Sequence, residues 1–70
     1  MIERDGKFIT VADHHYRISD VSAVMAVEEE GTPYVKVMLK GVGSSFMTPC
    51  EDEEARQSAI DKIMYILNED

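Results

Sequence analysis

Seventy residues with 14 acidic and 7 basic side chains carry a formal charge of −7, a balance that repels phosphate backbones and anionic lipid and so argues against direct binding to nucleic acid or membrane. A chain of this length makes at most one domain, residues 1–70, and buries only about 60% of the surface that its unfolded form exposes. Cys50 is the only cysteine, so no disulfide within the chain adds stability, and self-association is the supplement expected ahead of metal.

The opening MIERDGKFI lacks the apolar run of a secretory signal, and no stretch approaches the roughly 20 apolar residues of a membrane span. A cytoplasmic location is expected, in keeping with one free cysteine. Lys7 to Ala12 is rich in β-formers and predicts a first strand. Asp13 and His14 suit a turn, Tyr16-Arg17-Ile18 a short return strand, and Ser19-Asp20 an interruption before Val21 to Glu28 resumes as a strand. Glu29 to Pro33 is the clearest turn, with Gly31 at the position that needs a positive φ. Tyr34 to Lys40 alternates, sending Val35, Val37 and Leu39 to one face and Tyr34, Lys36, Met38 and Lys40 to the other. Gly41 to Ser44 turns the chain again, and Ser45-Phe46-Met47 is a last short strand.

The final third is read as a helix from Pro49 to Leu67. Thr48 suits the N-cap with Glu51 completing a capping box, and Pro49 suits the first helical position. Glu51, Asp52, Glu53 and Glu54 favour the positive end of the helix dipole, and Asp52 stands four residues before Arg56, the better order for an ion pair. Ala59, Ile60, Ile63, Met64 and Leu67 recur at helical spacing, with Ala55 and Ile66 widening the stripe. Asn68 is a stop signal, and Glu69 and Asp70 oppose the dipole, so fraying is expected there. The fold class expected is α+β: an antiparallel meander of about four short strands within residues 7–47, packed on one C-terminal helix at about 49–67.

Register decides which residues face outward. A three-residue loop centred on Gly31 puts Val21, Ala23, Met25 and Val27 with Val35, Val37 and Leu39 under the helix. Ser22, Val24, Ala26 and Glu28 then lie beside Tyr34, Lys36, Met38 and Lys40; a one-residue slip exchanges the faces. One helix covers one face of a small sheet. The second face, with Val24, Ala26, Tyr34, Lys36 and Met38, has the composition of an interface rather than of a solvated surface.

Catalytic patterns are missing. Cys50 near a helix start gains from the dipole, but the four acids after it oppose ionisation, so it reads as an ordinary junction residue. Asp13-His14-His15 has metal-ligating residue types, yet adjacent residues on a strand point to opposite faces, and no Cys or His pair recurs at zinc-site spacing. Gly41-Val42-Gly43-Ser44-Ser45 lacks the lysine and following helix of a phosphate loop and reads as a turn. No cofactor and no enzyme activity are expected.

The order of Tyr16-x-Ile18-x-Asp20-Val21, a glutamate-rich hairpin, Val35-x-Val37-x-Leu39, and Glu53-Glu54-Ala55 leading a helix through Ile63 and Leu67 resembles a broad group. These are small, largely uncharacterised bacterial and bacteriophage proteins with a β-meander and one C-terminal helix. The resemblance implies that fold and carries no catalytic residues. The function expected is a non-enzymatic protein-interaction module, homodimeric through the second sheet face. The alternative is an acidic inhibitor or nucleic-acid mimic whose Glu51, Asp52, Glu53 and Glu54 occupy a basic groove on another protein.

Overall fold

The computed structural model describes residues 2–41, 43 and 45–69. The expected turn from Gly41 to Ser44 falls partly outside these residues, at Val42 and Ser44, as does the expected fraying at Asp70. The described chain is α+β and antiparallel, with six strands in two three-stranded meanders rather than four in one. The first sheet holds β1 (Ile2–Asp5), β2 (Phe8–Val11) and β3 (His14–Arg17), in that order. A 3₁₀ turn, Ile18–Asp20, then carries the chain into the second sheet. There β4 (Val21–Glu29), β5 (Thr32–Leu39) and β6 (Ser45–Pro49) follow in order, and α1 (Glu53–Asn68) closes the chain.

The 3₁₀ turn is fixed from both sides. Ile18 N–H donates to Lys7 O at 2.8 Å, closing the first sheet, and Lys40 N–H donates to Asp20 O at 2.8 Å, opening the second. Because Ile18 is itself buried, the switch between sheets is also a core position. The core gathers Ile2, Ile9, Val11 and Tyr16 from the first sheet, Val35 and Val37 from β5, and Ile63 and Ile66 from α1. One face of the second sheet thus receives both the helix and the first sheet. Along α1 the buried side is Ile63 and Ile66, with Ala59, Ile60 and Leu67 partly buried beside them. Met64, expected in the stripe, is 41% exposed; at 100° per residue it stands on the flank of the Ile63–Ile66 seam.

The central hairpin differs from the expected register by one residue. Glu29 pairs with Thr32, leaving a two-residue turn at Glu30-Gly31. Both turn residues have positive φ, 51° and 80°, the arrangement of a type I′ turn, whose twist matches that of the flanking strands. Val24 therefore opposes Val37, and Ala26 opposes Val35. Val24 packs against the core, and Ala26 shares that face. Met25 and Val27 turn outward beside Lys36 and Tyr34. A bulge between Val21 and Ala23 restores Val21 to the inner face opposite Leu39, and Ser22, the extra residue there, donates its hydroxyl to Met38 O at 3.1 Å.

The helix begins four residues later than Pro49. Asp52 is the N-cap, its carboxylate accepting from Ala55 N–H at 2.7 Å; such a cap contributes about 1 kcal/mol. Thr48 and Pro49 instead extend β6, pairing with Val35 and Tyr34, and Cys50 N–H donates to Pro33 O at 2.9 Å. Pro49 ends an edge strand, where its missing N–H removes no ladder bond. The expected Asp52–Arg56 ion pair is absent. Asp52 is engaged as the cap, and Arg56 Nη2 lies 3.9 Å from Glu53 Oε1.

Candidate protein-interaction surface

The outer face of the second sheet is built around β5, whose alternation buries Val35 and Val37 and turns Tyr34, Lys36 and Met38 away from the core. Register brings Met25 and Met47 to either side of Lys36, Val27 and Pro49 to either side of Tyr34, and Ala23 and Ser45 to either side of Met38. Three methionines, a tyrosine and a valine so surround one lysine. None of these residues belongs to the core or to the apolar residues packed against it. Met25 is 45% exposed, and Tyr34, Lys36, Met38 and Met47 are half-buried by their neighbours on the sheet. Methionine side chains are flexible and polarisable, which suits them to a surface that repacks on contact.

Of the five residues expected on this surface, the structure places Tyr34, Lys36 and Met38 there and puts Val24 and Ala26 on the opposite face. The cause is the two-residue turn: shortening the loop by one residue exchanges the faces of β4. Met25, Val27 and Met47 are the residues that sequence reasoning left out. The sequence carries only half of the signal that finds them: Gly31 suits a two-residue turn with positive φ at both positions, but Glu30 is not the Asn, Asp or Gly that such turns favour.

The helix is also anchored to this sheet by a side chain. Arg56 reaches from α1 to donate from Nη1 to Val27 O at 2.9 Å, tying the helix to the central hairpin.

The other candidates lie elsewhere. His14 stacks near Tyr16 at 6.0 Å between ring centroids and near Phe46 of β6 at 5.4 Å, joining the two sheets. His15 turns to the other face of β3, where Nδ1 and Thr10 Oγ1 are hydrogen-bonded at 2.9 Å. The two histidines are thereby held apart, and among the described residues no three metal-ligating side chains converge. Burial of Tyr16 raises its phenol pKa above the ordinary 10.0. Cys50 is half-buried, its Sγ 3.9 Å from Thr48 O. Glu51, Asp52, Glu53 and Glu54 line a shallow hollow together with Glu28 of β4, but Asp52 is the helix cap and Glu53 faces Arg56.

No described helix is long and apolar enough to cross a membrane. No protein-family model matches the chain, and no curated protein or solved structure is significantly similar to it.

Proposed function

We propose that this chain is a non-enzymatic protein-interaction module of the cytoplasm that assembles as a homodimer through the outer face of β4, β5 and β6. The observation that carries the reading is the methionine-rich surface around Lys36, a largely apolar face over which, among the described residues, neither helix nor sheet is packed. Two further facts support it. A domain this small gains from any additional burial. The face also holds Lys36, with Lys40 just past the end of β5, on a protein of net charge −7, so the acidic repulsion between two copies is least there.

With strands about 4.8 Å apart and a rise of about 3.4 Å per residue, the three-stranded face offers roughly 400 Å². That is about 800 Å² for the two copies together, below the roughly 1,000 Å² of a stable interface, so a weak and reversible dimer is expected. Light scattering from about 10 to 500 μM should therefore show the weight-average mass rising toward twice that of the chain. Tyr34→Glu together with Met38→Glu should hold the mass at the monomer value with an unchanged circular dichroism spectrum. A wild-type monomer throughout, with the double variant indistinguishable from it, would contradict the reading.

A second reading, an acidic inhibitor of a protein with a basic groove, draws support from the way β4 adds Glu28 to the acids at the start of the helix. Glu51, Asp52, Glu53 and Glu54 would supply the contacts, although cap and ion pair already engage two of them. Such binding falls steeply with salt and with charge reversal at Glu51 and Glu54; salt-independent capture would exclude it.

A further inference from the structure

Charge and symmetry on the outer sheet face specify how two copies would meet, an inference that rests on the homodimer proposed above. Tyr34 and Lys36 stand two positions apart on the outer face of β5, about 7 Å along the strand. Among the described residues neither side chain makes a hydrogen bond or ion pair, and neither do Lys40, Glu29 and Glu30. A closed two-fold interface must be self-complementary: a contact from one position to a second is repeated from the second to the first.

We propose that two copies pack these faces with the strands antiparallel and the two-fold axis crossing β5 at Val35. Lys36 of each copy then lies over the ring of the partner's Tyr34. Packed sheets lie about 10 Å apart, a gap that a lysine stem and a tyrosine ring fill from opposite sides. An ammonium over an aromatic face is attracted by the ring quadrupole, more strongly when water is excluded. The same axis sets the end of β5 that leads to Lys40 against the Glu30-Gly31 turn at the start of the partner's β5.

Charge selects this arrangement over its neighbours. An axis through Lys36 would bring the two ammonium groups together in the middle of an apolar contact. An axis parallel to the strands would set glutamate turn against glutamate turn and Lys40 against Lys40. Crossing at Val35, Lys36 meets a ring and Lys40 lies toward the acidic turn, while Met25 and Met47 flank the pair and exclude water.

The test is sedimentation velocity on the full chain and a set of surface variants, with circular dichroism confirming the fold of each. Tyr34→Lys alone places lysine over lysine and should weaken the dimer at least tenfold. The exchange Tyr34→Lys with Lys36→Tyr keeps each lysine over a tyrosine and should return the dissociation constant to within about threefold of wild type, the pair being re-formed with its direction reversed. A second set, independent of the ring, pairs Lys40→Glu, expected to weaken the dimer, with Lys40→Glu plus Glu29→Lys and Glu30→Lys, expected to recover it. A wild-type dimer with both exchanges as weak as their single variants overturns the axis at Val35 and leaves the homodimer standing. A wild-type chain that stays monomeric overturns both.

Discussion

Replacing Ile63 with alanine is expected to cost about 3–4 kcal/mol of folding free energy. Ile63 is 1% exposed and lies in one core with Ile9 of the first sheet and Val35 of the second. Truncation there removes apolar contact with two sheets at once and leaves a cavity that a small core has little freedom to close. A domain of this length holds roughly 4–10 kcal/mol in total, at about 0.05–0.15 kcal/mol per residue, so the loss takes a large part of its stability. Urea unfolding followed by far-ultraviolet circular dichroism measures the effect. Met64→Ala, one residue along but outside the seam, should shift stability by no more than about 0.5 kcal/mol. Equal losses at the two positions would contradict the orientation of the helix.

The second large effect separates the two faces of β4. Val24→Asp places a carboxylate opposite Val37, against the core, and should cost about 2–4 kcal/mol because the charge finds no partner there. Met25→Asp, one residue on, points away from the core beside Lys36 and should leave the monomer within about 1 kcal/mol of wild type. Measuring both in dilute solution keeps any dimer from contributing. The reverse order of effects would mean that the hairpin has a three-residue loop after all.

Both experiments bear on the boundary between what is legible in the sequence and what is not. The alternation of β5 is readable because one of its faces is buried and the other is not, so Val35 and Val37 stand apart from Tyr34, Lys36 and Met38. The positive φ at Gly31 is readable for its own reason, the lack of a side chain. Register is not, because it depends on loop length, and Glu29 to Thr32 allows two lengths that differ in nothing but which face β4 presents. The strand β1 is hard to see because only Ile2 of its four residues is buried, leaving three charged residues that resemble a solvated tail. The start of α1 is ambiguous because Thr48 and Asp52 are both competent caps. Pairing of Pro49 with Tyr34 decides between them, and pairing across the sheet is not written in local sequence. For the candidate surface, this leaves three of its residues in view and hides Met25, Val27 and Met47.

The separation of the strands into two sheets has a consequence for where a partner can bind. Had all six strands formed one meander, a single helix would have left a much larger bare face. Instead the first sheet and α1 share the inner face of the second, with His14, Tyr16 and Phe46 joining the sheets at one side. Arg56 ties α1 to β4 through Val27 O. The outer face around Lys36 is what these arrangements leave over.

Methionine methyl resonances report on that face most directly, because Met25, Met38 and Met47 lie on it and Met64 lies on the helix. On dilution from about 500 to 20 μM, a range suited to a weak, reversible dimer, the signals of Met25, Met38 and Met47 should move together along one binding curve while Met64 stays fixed. Signals that stay fixed at all four positions, or movement at Met64 alone, would contradict the assignment of the outer sheet face as the surface through which this protein associates.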